Sequence, residues 1–456
     1  MSSAKKSSDA QQPKFARTRF RQASELLASI LPLTDPADTM MDRYFKAHRE
    51  MGSQDRAFAA ETTYACLRRL RELRALCRGA GPFPGLRFEA EALVATYLIT
   101  VAGWSMRGLE ETDFKDRAEA LIKAVRSFDK STLSFAEKFN LPDWLCEPLR
   151  QQLGDAETEK LARALNEPAP VDLRVSTRRI SRDDLQQQLT EHGFDCKPMP
   201  LSPWGLRRDQ RGPLFNTAQF KQGLFEMQDE ASQLVGWLVS PRPRQTVVDF
   251  CAGAGGKTLH LADLMNNKGS IIACDVAQHR LDKMKPRLIR AKLDNVRLLP
   301  LSSENDDALR GLFGEADAVL VDAPCSGSGT LRRNPDMKWR DMDIASLHEQ
   351  QLSILTSASR LVKPGGRLVY ATCSLLAGEN QAVVDDFLAA NPDFVRAGID
   401  GPDPQNGDHQ DAGIMAAFAA LDPALAQQLR DRGELVLLPH RHHTDGFFGQ
   451  RLQRKH

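Results

Sequence analysis

Hydrophobic positions fall into three successive regimes along the chain, and each predicts a different kind of structure. From Phe15 to about Val125, apolar residues recur at helical spacing, as in Ala23, Leu26, Leu27 and Ile30, then Ala57, Ala60, Tyr64, Leu67 and Leu70. That period lines one face of a helix, so residues 14–138 are expected to form a helical domain. Between 139 and 235 the pattern is mixed. The alternation in VDLRVST (171–177) predicts a short strand, and ISRDDLQQQLTEHGF (180–194) a helix opened by the cap-competent Ser181. A small α+β subdomain fits this stretch. After Gln245 come five β-branched, apolar runs of strand length: TVVDFCA (246–252), SIIACDV (270–276), VRLLPL (296–301), DAVLVDAP (317–324) and GRLVYATC (366–373). The segments between them have helical spacing. Such alternation builds an open parallel sheet covered on both faces, so residues 236–456 are expected to form an α/β domain. Ligands of such sheets bind beyond the carboxyl ends of the strands. Residues 1–13 are polar, lack apolar periodicity and are expected to be disordered.

Composition narrows the class. A chain of 456 residues suggests two or three domains, and 61 Lys and Arg nearly cancel 60 Asp and Glu. Overall charge therefore does not call for nucleic acid, although Lys5, Lys6, Lys14, Arg17, Arg19 and Arg21 make the amino terminus basic. The eight cysteines form no CxxC pair, which points to free thiols in a reducing cytosol. A signal peptide and a membrane span are not expected, because no apolar run is long enough. His440, His442 and His443 have no thiol beside them and read as surface residues, so no metal is expected.

The glycine-rich DFCAGAGGKT (249–258) follows the first of these strands. A phosphate-gripping P-loop would need Gly where Cys251 stands, and the dinucleotide fingerprint would need Gly where Thr258 stands. What remains is a tight turn that lets backbone approach a ligand closely. Asp275, at the end of the next strand and twenty positions after Gly255, is placed to accept from ribose hydroxyls. Together they suit an adenosine cofactor without a pyrophosphate. Lys257 opposes the dipole of its helix, which favours a chemical role such as lowering a neighbouring thiol's pKa or orienting Asp322. Cys325 in DAPCSG and Cys373 in YATCS lie at two further strand ends and suggest a thiol nucleophile beside that cofactor.

These motifs resemble the Sun-type (Fmu) family of RNA cytosine-carbon-5 methyltransferases over about residues 140–455. The likeness is carried by QDEASQLV (228–235), DFCAGAGGKT, DVAQHRL (275–281), DAPCSGSG with RRNPD (322–336), GGRLVYATCSLLAGEN (365–380) and DGFF (445–448). GSQDRAFAAETTYACLRR (52–69) is similar to the NusB-like RNA-binding domain of bacterial small-subunit rRNA members. The resemblance implies a class I, Rossmann-like methyltransferase domain using S-adenosylmethionine (SAM), with the α+β subdomain between the two also binding RNA. It assigns attack on the base to Cys373 and product release to Cys325, and places Asp322 near the cofactor and the target base. It also implies that the backbone of Cys251, Ala252, Gly253, Ala254, Gly255, Gly256 and Lys257 encloses the cofactor's methionine part, and that Asp275 holds its ribose. Many members carry an Asp near the adenine where this chain has Ser302 and Ser303; Ser303 is the expected cofactor contact, with Ser302, Glu304 and Asp306 as alternatives. Arg332, Arg333, Lys338, Trp339 and Arg174 are candidate RNA contacts, by charge and by stacking. The expected substrate is 16S rRNA, with tRNA or a non-catalytic ribosome-assembly role as alternatives, and the expected form is a cytoplasmic monomer.

Overall fold

The computed structural model describes residues 16–399 and 409–456; the expected disordered tail, residues 1–13, lies outside them. The chain divides into two compact units. The first runs to Glu167 and takes in Leu331–Asp341, and the second comprises Pro168–Thr330 and Met342–His456.

The first unit is helical. Helices Ala16–Ile30, Ala37–Ala47, Ser53–Arg68, Leu70–Cys77, Leu86–Thr100 and Lys115–Ser127 enclose a core containing Phe20, Ala23, Leu26, Leu27, Ile30, Leu67, Leu70, Leu93 and Leu98. The predicted stripe of the first helix is therefore buried. In the third helix the stripe is displaced: Ala57 is exposed, and Ala59, Thr63, Cys66 and Leu67 face inward. Helices Asp143–Leu153 and Asp155–Leu165 also fall in this unit, beyond the boundary at 138 that periodicity suggested.

Leu331–Asp341 packs here through buried polar contacts. Trp339 donates its indole N–H to the Leu67 carbonyl at 2.7 Å, and the Asp336 carboxylate accepts from the Ala37 N–H at 3.3 Å. The Lys338 ammonium donates to Asn166 Oδ1 and the Arg68 carbonyl, while the Lys338 carbonyl accepts from the Trp144 indole at 3.1 Å. Lys338 is fully enclosed (0% exposed), and burial, reinforced by Arg68 and Arg69, pushes its pKa down to about 7. The expectation that Lys338 and Arg332 offer charge to RNA is thus corrected, because both are buried. Trp339 is half-buried against the helical core with its N–H already used. Arg333 is partly exposed.

The second unit holds two sheets. β1 (Val171–Val175), β2 (Lys197–Pro198), β3 (Gly205–Arg208) and β4 (Phe225–Met227) form an antiparallel sheet in the order β2-β3-β1-β4. Leu173, Val175, Leu206 and Phe225 pack against Leu185 and Leu189 of helix Arg182–Glu191, which Ser181 caps as predicted. Arg174, on β1, corrects another expectation. It is 1% exposed and tied to Asp263 at 2.6 Å and Gln228 at 2.7 Å, so it joins this sheet to helix Gly256–Leu264 instead of reaching RNA.

The large sheet contains the five predicted strands, as β5 (Thr246–Asp249), β6 (Ser270–Asp275), β7 (Val296–Pro300), β8 (Ala316–Asp322) and β9 (Val362–Thr372). They run parallel in the order β9-β8-β5-β6-β7. Alternate side chains fill opposite faces, Val247, Ile271 and Leu320 on one and Val248, Ile272 and Val319 on the other, as the two-residue period of a doubly covered strand requires. Three strands were not foreseen: β10 (Phe394–Arg396), β11 (Glu434–Leu437) and β12 (Phe447–Arg454). β12 pairs antiparallel with β9, β10 and β11. Chain order reverses between β5 and β8, so a crevice forms beyond their carboxyl ends.

Candidate active site

Both cysteine loops leave the carboxyl edge of the sheet, the first after β8 and the second after β9. Register sets Asp322 beside Ala371, and the loops bring Cys325 Sγ and Cys373 Sγ to 3.4 Å. Gly329 N–H donates to the Cys373 carbonyl at 2.8 Å, locking one loop on the other. The two thiols differ in surroundings. The hydrogen bond with Cys373, then burial, then the negative charges of Cys373 and Glu379 push the Cys325 thiol well above its ordinary value. The Cys325 thiol therefore holds its proton more tightly than an ordinary cysteine.

Lys257 stands on the other side. Its ammonium pairs with Asp322 at 2.7 Å and lies 5.0 Å from the Phe447 ring centroid. Burial acts against its charge, but Asp322, Cys373 and Asp249 outweigh it, so its pKa is raised and it stays cationic. Cys373 thus lies in the field of a cation.

The glycine turn connects β5 to helix Gly256–Leu264. Gly253 and Gly255 adopt φ of +56° and +88°, and a Cβ at Gly255 would meet Met284 Cγ at 2.4 Å. Asp275 organises this turn: one carboxylate oxygen accepts from the Gly253 N–H and the other from the Ala277 N–H, both at 2.7 Å. Arg287 donates to the Ala254 carbonyl at 2.5 Å and to Glu226 at 3.0 Å. Ala252 N–H donates to the Cys274 carbonyl at 2.9 Å, and burial, then Asp249, Asp322 and Asp275, push the Cys251 thiol up. Ser303 Oγ accepts from the Asn305 N–H at 3.2 Å.

The family model for 16S rRNA methyltransferase RsmB/F matches residues 236–453, and that for the RsmF/B-like, ferredoxin-like domain matches residues 141–214. The probable ribosomal RNA small subunit methyltransferase B of Synechocystis sp. is 32% identical over 449 residues, spanning 91% of this chain and 95% of that one. The chain belongs to the RsmB/F (Sun-type) methyltransferase family. Among solved structures, PH0851 superposes with a TM-score of 0.76 at 26% identity over 96% of this chain and 98% of that one. A methyltransferase homolog from Pyrococcus horikoshii gives 0.57 at 29% over 72% and 100%. The Rossmann-like core is thus that of a Sun-type methyltransferase, and this RsmB/F member is a SAM-dependent RNA methyltransferase.

The residues present fit that cofactor. A Cβ on Gly253 or Gly256 would meet nothing within 4 Å, so the turn borders open space. Val276, beside Asp275, is 63% exposed despite being apolar and offers a surface for a flat ring. Asp249 Oδ1 is buried without a hydrogen-bond partner, while Oδ2 accepts from the Thr258 hydroxyl at 2.6 Å. Sequence reasoning passed over Val276 and Asp249; the signal for both was their place at the carboxyl end of a strand.

Burial pushes the Asp249 pKa up from 3.8 to about 7, with Asp322 and Asp275 adding to it against the Thr258 hydroxyl and Lys257. The folded state then holds this proton more tightly than the unfolded chain does. The associated stability is complete below about pH 4 and is lost as pH rises through about 7. Asp249→Asn removes the titration while keeping an acceptor for Thr258. Relative to wild type, it is expected to gain roughly 2–3 kcal/mol between pH 5 and pH 8, read from urea midpoints. Glu230, which burial pushes to about 7, acts in the same direction and is common to both proteins. Equal differences at the two pH values would show that Asp249 does not titrate in this interval.

Among the described residues, no group of three or more His, Cys, Asp or Glu is placed to hold a metal, and no helix is long and apolar enough to cross a membrane. His442, expected at the surface, is buried; its Nδ1 accepts from the Leu438 N–H at 2.9 Å.

Proposed function

We propose that this enzyme methylates carbon 5 of a cytosine in small-subunit ribosomal RNA through a covalent adduct with Cys373. The observation that carries the chemistry is the thiol pair, 3.4 Å apart at the carboxyl ends of two adjacent parallel strands, with Lys257 and Asp322 beside it. A methyltransferase acting on an already nucleophilic atom needs no such pair.

Carbon 5 of cytosine is a weak nucleophile. The Cys373 thiolate adds to carbon 6, forming the S–C6 bond and shifting the ring's electrons so that carbon 5 becomes enamine-like; this divides one difficult step into easier ones. When bound, SAM supplies an electrophilic methyl group. Release then requires transfer of the carbon-5 proton to a base such as solvent water, its C–H electron pair forming the C5–C6 double bond while the S–C6 bond breaks and that bond's pair returns to Cys373. Cys325, held within hydrogen-bonding distance of that sulfur, assists this stage. Asp322 hydrogen-bonds the base, and Lys257 orients Asp322 through their ion pair. The Cys251–Lys257 backbone and Asp249 enclose the methionine part of SAM, Asp275 reaches the ribose, and Val276 and Ser303 border the adenine. Arg333 remains the candidate RNA contact after the PCS loop. The unequal surroundings of the two thiols, Glu379 acting on Cys325 and the Lys257 cation on Cys373, support Cys373 as nucleophile alongside the family resemblance.

The substrate assignment rests on the relatives' small-subunit rRNA activity. Incubating the protein with methyl-labelled SAM and, separately, unmodified small-subunit rRNA, large-subunit rRNA and tRNA, then mapping labelled 5-methylcytosine, tests both parts. Label at one cytosine of small-subunit rRNA is expected. Label in tRNA alone would keep the chemistry and reject the substrate. Cofactor binding without transfer to any RNA, naked or in ribosomal particles, would reject the enzymatic reading in favour of an assembly factor.

A further inference from the structure

Each thiol is followed by a serine, and both serines end on one carboxylate. Glu379, in the turn Ala377–Glu379, is 0% exposed. Its Oε1 accepts from the Ser326 N–H at 2.8 Å and from Gln351 Nε2 at 3.0 Å. Its Oε2 accepts from the Ser326 hydroxyl at 2.6 Å and from the Ser374 hydroxyl. Gln351 also donates to the carbonyl of Pro324, the residue before Cys325, at 3.0 Å. The Tyr370 hydroxyl donates to the Glu379 carbonyl at 2.6 Å. Ser328 completes the arrangement by accepting from the Leu375 N–H at 2.8 Å. Four donors nearly fill the capacity of a carboxylate, and every one comes from a neutral group. Burying a charge without a cation is costly, and a neutral amide of the same shape could fasten the same loops. The charge therefore needs a reason beyond packing.

We propose that Glu379 is the positioning residue of the thiol pair: its carboxylate holds the Cys325 and Cys373 loops in register, and its charge gives the two sulfurs unequal surroundings. Cys325 faces Cys373, Glu379 and Tyr370, with the Gly327 N–H opposing them. Cys373 faces Cys325 and the Lys257 ammonium, itself paired with Asp322. Anion on one side and cation on the other make one sulfur the proton carrier and the other the nucleophile. This division of labour rests on the catalytic reading above, whereas the clamp and the charge asymmetry do not.

Thiol alkylation separates the two. Full-length protein, without RNA or SAM, is treated with iodoacetamide across about pH 6–10, on either side of the ordinary thiol value of roughly 8.5, and each cysteine is followed by peptide mass spectrometry. In wild type, Cys373 is expected to react at lower pH than Cys325. Glu379→Gln retains an acceptor for the Ser326 N–H and Gln351, and its amide can donate to the two serine hydroxyls, which rotate to accept. Its expected effect is a rise of about tenfold in Cys325 alkylation at pH 8, equivalent to about one pKa unit, with Cys373 changing less than about twofold. An unchanged Cys325 rate in a folded Glu379→Gln protein overturns the proposal. So does a reversed order of reactivity in wild type, a result that stands even if the variant fails to fold. Glu379→Ala, which removes the clamp as well as the charge, is expected to lose the rate difference between the two thiols altogether. Methyl transfer is measured in parallel. Wild type that shows the thiol asymmetry but methylates no RNA would reject the proposed function and leave the role of Glu379 intact.

Discussion

Replacing Cys373 with Ala is expected to abolish methyl transfer, lowering the rate by at least about 10⁴-fold, because the thiolate proposed to make carbon 5 nucleophilic is gone. Cys373 is partly exposed at the end of β9, so the smaller side chain leaves no large sealed cavity and the fold should survive. SAM affinity, read by calorimetry, should change less than about twofold, since the turn proposed to border the cofactor is held by Asp275 and Arg287. Incorporation of labelled methyl into rRNA at more than about one per cent of the wild-type rate would remove Cys373 from the nucleophile's role.

Cys325→Ala should fail later in the reaction. Addition through Cys373 proceeds, but the group that assists release is gone, so a covalent protein–RNA adduct accumulates to about one per enzyme while steady-state turnover falls by about 10²–10⁴-fold. The adduct is visible as a denaturation-resistant shift on a gel that nuclease removes. Its appearance in Cys373→Ala instead would exchange the two roles. Its absence from both variants, with methylation intact in wild type, would argue against covalent catalysis. The single and double variants are expected to be non-additive, because the two sulfurs act as a unit.

Much of the catalytic unit was legible from local pattern. Runs such as TVVDFCA and SIIACDV can only be strands covered on both faces, and glycines at positive φ between a strand and a helix announce a turn with a ligand nearby. The strand β12 was missed for a physical reason. FFGQRLQR carries two arginines and two glutamines, and it is a strand because β9, β10 and β11 supply its partners, not because of its own composition. The expected RNA contacts at Arg174 and Lys338 failed in the same way. Arg174 and Lys338 look like surface charge in sequence, yet Asp263 lies 89 positions from one and Asn166 172 from the other. Each buries a charged or polar group that its partner satisfies.

By itself, then, the sequence determined the parallel strands, the glycine turn, the two thiol motifs and the family, because each depends on residues adjacent in the chain. How the surroundings of the two sulfurs differ, how closely the two approach, and which basic residues reach solvent depend on groups the fold brings together from distant positions. Glu379 illustrates the limit: a carboxylate five positions after Ser374 and 53 after Ser326 governs both thiol loops only once β8 and β9 lie side by side. Electrostatic potential and burial are properties of that packing, so only the tertiary structure could decide them.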